Sequence, residues 1–123
     1  MFFVDRAVAI IQPQKPFLDW LLSVEPHESV DITLEQLQHE CTTFLIPQYN
    51  EPEEAIAYID DIYLSLFQIE LSGWYEDPDL WPEDMSLQAF WEMFDVRVHA
   101  MVIDTVESDL HNTPILGTDI GKD

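Results

Sequence analysis

The spacing of apolar residues predicts a strand and then a helix near the N-terminus. Residues 7–11 form the short run AVAII, which is rich in β-branched side chains and is soon followed by Pro13, as is typical of a buried strand. Pro16 suits the first turn of a helix, and apolar residues then recur at helical spacing until Pro26. A short helix over 16–24 is therefore expected. Its apolar positions are Phe17, Trp20, Leu21 and Val24.

Two further short elements are predicted before the middle of the chain. Thr33 and Gln36 fit a capping box, in which both side chains satisfy reciprocal backbone N–H groups, and a helix to about Glu40 follows. Residues 42–46, TTFLI, are β-branched and apolar and end at Pro47. That composition predicts a second strand.

The strongest helical pattern lies in the middle of the chain. Asn50 can cap a helix, and the glutamates of the first turn favour the positive end of the helix dipole. Apolar residues then recur at helical spacing, which predicts a long helix to about Ser72 with Gly73 as its C-terminal stop. The recurring residues are Ala55, Ile59, Ile62, Leu66 and Ile69.

The second half of the chain contains a loop, a helix, a strand and a tail. Residues 74–85, WYEDPDLWPEDM, show neither helical nor alternating spacing and predict a loop. A helix is expected from Ser86 until Asp95 ends it, and the β-branched residues 96–106 predict a third strand. Residues 107–123 are expected to be poorly ordered or to lie on the surface. The apolar face of the helix expected from Ser86 consists of Leu87, Phe90, Trp91 and Phe94.

The predicted elements follow the order β-α-α-β-α-α-β, which indicates an α+β fold. We expect a single compact domain over residues 1–106, with about three strands and about four helices. The length of 123 residues fits one domain, and the hydrophobic fraction of 47% supports a core without a disulfide or metal. The single cysteine, Cys41, cannot form an internal disulfide.

The charge of the chain narrows the classes of partner. Four basic and 25 acidic residues give a net charge of −21, and 19 of the acidic residues fall in the segment from Pro16 to Val96, which has no Lys or Arg. Such a surface repels phosphates and anionic lipids, so direct binding to nucleic acid or to a membrane is not expected. The acidity can serve solubility alone, or it can dock a basic partner protein, with imitation of nucleic acid as a special case.

Neither an export signal nor a membrane span is indicated by the sequence. The first residues lack a basic region, and the apolar run over 7–11 is only five residues long. With one free thiol, a cytoplasmic location is expected.

Metal and cofactor sites are not predicted. The four histidines and the cysteine lack the paired spacing of zinc ligands, and an EF-hand loop starting at Asp77 would have Pro82 and Gln88 where glycine and glutamate are needed. Gly-rich phosphate-binding motifs and the nucleophile motif Gly-x-Ser-x-Gly are absent from the sequence. The candidate zinc ligands are His27, His39, Cys41, His99 and His111.

A small hydrolase with a carboxylate active site is the alternative function. It needs two acids in an apolar cleft that raises the pKa of one of them. Asp104 is expected on the apolar face of the third strand and partly buried. Arg97 and His99 are expected on its other face, with Arg97 as the internal ion-pair partner of a carboxylate. Whether the chain is an enzyme stays open, and no catalytic residue is assigned.

The loop over 74–85 mixes aromatic and acidic residues, which together suit lysine and arginine partners. With the acidic face of the long helix, it forms what we call the docking surface. The alternative for Trp74 and Trp81 is that they fold back as lids on the core. The docking surface comprises Glu53, Glu54, Asp60, Asp61, Trp74, Tyr75, Glu76, Asp77, Asp79, Trp81, Glu83 and Asp84.

Three segments of the chain resemble a group of small acidic bacterial proteins that have no assigned activity. The segments are KPFLDWLLS, the loop GWY to LWP, and WEMFDVRVHAMVIDT. The resemblance implies a bacterial, cytosolic protein and transfers no functional residue.

Overall fold

The structure, a computed structural model, describes residues 1–24 and 32–115. Within these residues the chain folds as one small α+β domain with four α-helices and five short strands in two antiparallel sheets, which confirms the predicted fold class. The elements are β1 (Phe2–Phe3), β2 (Ala7–Pro13), α1 (Lys15–Val24), α2 (Leu34–His39), β3 (Thr42–Ile46), α3 (Pro52–Ser72), a 3-10 turn (Pro78–Leu80), α4 (Leu87–Met93), β4 (Phe94–His99) and β5 (Ile103–Asp104).

The larger sheet places β2 between β3 and β4, both antiparallel to it. Burial alternates along β2, since Ala9 and Ile11 are buried while Val8 and Ile10 are half-buried. The helices therefore cover only one face of the sheet. On the other face, Leu45 lies opposite Val8 in the ladder and is exposed.

An aromatic cluster fills the space between the sheet and the helices. The Phe94 ring, at the start of β4, lies 5.2 Å from both Phe17 and Phe90 and 5.7 Å from Phe67, measured between ring centroids. All four rings are almost fully buried. These rings join α1, α3, α4 and β4 into one core, and burial of such large side chains is the main favourable contribution to folding.

Most helix boundaries agree with the sequence expectations. The capping box of α2 is present, since Thr33 and Gln36 bond each other's backbone N–H groups. The predicted cap Asn50 is wrong, because α3 begins at Pro52 after Glu51, which makes no side-chain cap bond. Gly73 is the C-cap as expected, but its φ of −63° is right-handed, so this end of the helix does not depend on glycine.

The end of α4 and the third strand differ from the expectation. The last helix stops at Met93, and β4 begins at once with Phe94. The strand does not run to residue 106, because its ladder with β2 ends at the pair of His99 with Val8. The chain then turns away, and β5 pairs with β1, a strand that the sequence did not predict.

Parts of the expected pattern lie outside the described residues, namely Pro26, His27 and residues 116–123. Residues 107–115 are described, and they are exposed with no helix or strand. In the described residues, α-helices are too short or too polar to cross a bilayer.

Candidate functional site

The loop over 74–85 lies against the helices through tryptophan side chains. Trp81 is half-buried, and its Nε1 donates to the backbone carbonyl of Tyr75 over 2.8 Å. The Tyr75 ring meets Trp20 edge-on, with centroids 6.0 Å apart. Trp81 also packs against the buried core, which confirms the lid interpretation for this residue, whereas Trp74 is 41% exposed.

Two longer-range hydrogen bonds fix the rest of the loop. The Nε1 of Trp20 donates to the carbonyl of Leu80 over 3.1 Å, and the Tyr63 hydroxyl donates to the carbonyl of Met85 over 3.0 Å. Because Trp20 belongs to α1 and Tyr63 to α3, the loop spans both helices. Its carboxylates are therefore presented from an anchored backbone.

The five loop carboxylates are exposed, but two of them also shape the backbone. Asp77 Oδ1 accepts from the N–H of Asp79 over 3.0 Å and caps the 3-10 turn. Asp84 Oδ1 accepts from the N–H of Ser86 over 3.0 Å. Bonds from the side chain and backbone of Ser86 lower the pKa of Asp84. The exposed loop carboxylates are Glu76, Asp77, Asp79, Glu83 and Asp84.

The four predicted residues of α3 do not all face solvent. Glu53, Glu54 and Asp61 are exposed, whereas Asp60 is half-buried and accepts from the Trp91 Nε1 over 2.8 Å. Asp60 therefore links α3 to α4. The first-turn glutamates lie about 15 Å of helix rise before Tyr63, which contacts the loop. The structure thus brings the loop to the middle of α3, while Glu53 and Glu54 lie apart from it at the N-terminal end of the same helix.

The described basic side chains are all engaged with exposed carboxylates away from the loop. Arg6 pairs with Asp5 at 3.0 Å, Lys15 with Asp19 at 3.1 Å and Arg97 with Asp95 at 3.4 Å. Surface pairs of this kind contribute little to stability. The loop carboxylates have no such partner among residues 1–24 and 32–115.

The expected environment of Arg97 and Asp104 is wrong in two respects. Arg97 is an exposed member of the Asp95 pair and not an internal partner. Asp104 lies on β5, a different strand from Arg97, and its Oδ1 accepts from the N–H of Val106 over 2.9 Å. Asp104 is half-buried as expected, and His99 lies on the open face.

Sequence reasoning missed a pocket of about 390 Å³ at the C-terminal end of α3. Its acidic group is Glu70, whose Oε2 accepts from the Thr42 hydroxyl over 3.0 Å. The Oε1 atom is buried and has no hydrogen-bond partner in the described part of the chain. Burial raises the pKa of Glu70, although the bond from Thr42 acts in the opposite direction. The pocket is lined by Pro13, Phe17, Ile32, Gln36, Leu37, Glu40, Glu70, Gly73 and Trp74.

A weak signal for this pocket exists in the sequence. Glu70 lies in the last turn of a helix, where the dipole disfavours a negative charge, and it is flanked by Ile69 and Leu71. Its burial, however, depends on Thr42 and on α2, which lie far away in the chain. Periodicity alone could not reveal that arrangement.

Cys41 lies close to this pocket but is not an activated thiol. Burial, and then the charge of Glu70, raise the pKa of Cys41. Its Sγ donates to the carbonyl of Gln38 over 3.0 Å. A thiol with a raised pKa is a poor nucleophile and a poor metal ligand.

A second, more apolar groove of about 530 Å³ lies beside the ribbon of β1 and β5. Leu45, Ile103 and Leu110 line it and are exposed. Arg6 also lines it, so this part of the surface is less acidic than the loop. The alternation in β3 could have indicated Leu45, but the ribbon itself was not predicted.

Metal ligands do not converge in the described residues: no three His, Cys, Asp or Glu side chains there are placed to hold an ion. Comparison of the chain with models of known families, with curated proteins and with solved structures gives no match. Function is therefore inferred from the residues and their geometry.

Proposed function

We propose that this protein is an acidic interaction module that docks a basic partner protein through the loop over 74–85 and the exposed face of α3. The observation that carries the proposal is a loop whose five carboxylates are exposed while its backbone is held by Trp81, Trp20 and Tyr63. A fixed array of charges loses little entropy on binding.

The charge distribution supports a basic partner of this kind. The segment from Pro16 to Val96 has no Lys or Arg, and the described cations elsewhere are paired with other acids. Uncompensated carboxylates attract cationic surfaces over long range and repel nucleic acid and anionic membranes. Trp74 adds an exposed aromatic face, a side chain that is frequent at the energetic centre of interfaces.

The hydrolase alternative receives less support from the geometry. In the pocket at α3, burial raises the pKa of Glu70, but the second carboxylate, Glu40, is exposed to solvent. Acid–base hydrolysis needs two carboxylates that converge in an enclosed cleft. Docking requires only the exposed charges.

A capture experiment with two matched variants tests the proposal. The loop variant carries Glu76→Lys, Asp79→Lys and Glu83→Lys, which avoids the capping residues Asp77 and Asp84. The control variant makes the same charge change at exposed residues outside the docking surface, with Glu92→Lys, Glu107→Lys and Asp109→Lys.

The immobilised wild type should retain a basic protein from a bacterial lysate at low salt and release it at high salt. The control variant should retain the same protein, and the loop variant should lose it, because charges at the interface steer association. Equal retention by both variants would remove the loop from the interface and leave the acidity as a solubility device. Displacement of DNA from the captured partner would extend the proposal to nucleic-acid mimicry.

A further inference from the structure

The pocket at the C-terminal end of α3 combines apolar walls with a buried carboxylate. Phe17 and Leu37 are 1% and 5% exposed, so their side chains form its inner wall. Glu70 also lines the pocket, and its Oε1 is a buried acceptor without a donor among the described residues. The residues at its exposed mouth are Gln36, Glu40 and Trp74.

The electrostatics of the pocket select a cation. Glu70 and Glu40 both line it, and the last turn of α3 adds the negative end of the helix dipole with no basic residue to offset it. The lining contains no Lys or Arg among the described residues. A buried acceptor without a donor is costly, and a ligand that brings a positively charged N–H group removes that cost.

The shape of the pocket favours an ammonium group on an apolar stem. Its volume of about 390 Å³ is in the range of side-chain and small-ligand sites. A guanidinium binds best to two free carboxylate oxygens, but Oε2 of Glu70 already accepts from Thr42. A lysine has a compact ammonium and a flexible apolar stem that can lie along Phe17 and Leu37.

We propose that this pocket takes the ammonium group of a lysine side chain of the basic partner, with Glu70 as its acceptor and Trp74 at its mouth. Trp74 belongs both to the docking surface and to the pocket lining, so the two are continuous. The ring face of Trp74 attracts the cation as it enters. The identity of the partner as the source of the lysine rests on the proposed function, whereas the ammonium specificity rests on the pocket alone.

The probe for this proposal is Nα-acetyl-lysine methylamide, titrated into the full chain and followed by amide chemical shifts. We expect saturable shifts at the lining residues with a dissociation constant in the millimolar range. The analogue Nα-acetyl-norleucine methylamide, which keeps the apolar stem without the ammonium group, should cause none, and the arginine analogue should bind more weakly. Glu70→Gln should weaken lysine binding by about tenfold or more, since it removes the charged acceptor.

Two further variants compare the loss of a carboxylate in the pocket with the loss of a carboxylate elsewhere on the surface. Glu40→Gln, at an exposed position, should weaken binding by a smaller factor, and Glu92→Gln, outside the pocket, should leave it unchanged. Equal binding of the lysine and norleucine probes, or full affinity in Glu70→Gln, would overturn the proposal. Binding of butylamine as tight as that of the lysine probe would reassign the pocket to small amines.

The same variants distinguish this inference from the proposed function. A basic protein that is captured by Glu70→Gln as well as by the wild type, but not by the loop variant, would contradict the lysine pocket and leave docking intact. Specific binding of the lysine probe without capture of any basic protein would contradict docking and retain the ammonium site.

Discussion

The two oxygens of the Glu70 carboxylate lie in different surroundings. Oε2 accepts a bond from Thr42 over 3.0 Å, while Oε1 is buried without a donor in the described residues. Burial disfavours the charged form more than the single bond favours it, so the pKa of Glu70 is raised. The folded protein therefore binds the Glu70 proton more tightly than the unfolded chain does.

This raised pKa predicts a pH dependence of stability. Between the ordinary value of 4.5 and the raised folded pKa, the folded state carries more protons than the unfolded state. The free energy of unfolding contributed by Glu70 therefore increases as the pH falls through that window, and the destabilisation is fully present above the folded pKa. In Glu70→Gln this dependence is absent, so the wild type should gain stability relative to the variant as the pH is lowered from neutral.

Urea denaturation of both proteins over this range of pH measures the difference. Glu92→Gln is the control for the loss of one negative charge, because Glu92 is exposed. A stability difference between the wild type and Glu70→Gln that does not change with pH would contradict the raised pKa.

Gly73 offers a second prediction for a single residue. Its backbone is right-handed, and a Cβ atom there would meet only the carbonyl oxygens of Glu70 at 3.5 Å and Ile69 at 3.8 Å. Gly73→Ala should therefore stabilise the protein by about 0.5 kcal/mol, because alanine has fewer unfolded conformations to lose. A lower melting temperature in calorimetry would show that this position needs glycine.

Among the secondary-structure elements, α2 is a short helix with a complete capping box. It has only six residues, and a helix of that length is marginal without tertiary contacts. The Thr33 hydroxyl accepts from the N–H of Gln36 over 3.2 Å, and the Gln36 Oε1 accepts from the N–H of Thr33 over 2.9 Å. Because Gln36 and Leu37 line the pocket, the cap also shapes one of its walls.

Loss of this cap should be measurable in the stability of the whole domain. Thr33→Ala should lower the free energy of unfolding by about 1 kcal/mol, since the first turn of α2 loses its acceptor. Thr33→Ser keeps a hydroxyl and serves as the matched control. Chemical denaturation compares the three proteins, and equal losses in both variants would indicate that the methyl group of Thr33 matters and the capping bond does not.

At the scale of the whole molecule, repulsion between carboxylates opposes folding. The net charge is −21, and the described basic side chains form only exposed pairs. Sodium chloride screens repulsion between charges that are more than about 10 Å apart at about 0.1 M. None of the loop carboxylates is buried, so the repulsion between them acts through water and is weaker than it would be in the core.

We therefore expect the melting temperature to rise when sodium chloride is added up to about 0.5 M. The rise should be smaller in both triple lysine variants, because each has six fewer net negative charges by replacement of three acids with three lysines. A melting temperature that stays constant or falls would mean that the charges lie too far apart to affect stability.

The sequence by itself determined the elements that depend on neighbours in the chain. The periodicity of α3, the capping box of α2 and the β-branched run of β3 each set local structure through contacts a few residues apart. The sign of the surface charge follows from composition, and the anchoring of at least one loop tryptophan follows from the tendency of large aromatic side chains to be buried.

Only the tertiary structure decided which polar groups are buried and which strands pair. Glu70 and Thr42 are 28 residues apart, and Asp60 and Trp91 are 31 residues apart, so neither bond has a local signal. The chain leaves the ladder with β2 after His99, and β5 pairs instead with β1, which lies at the other end of the sequence. The cost of burying a carboxylate or leaving a strand unpaired depends on what the rest of the chain places around it, and that is fixed by packing and not by spacing along the sequence.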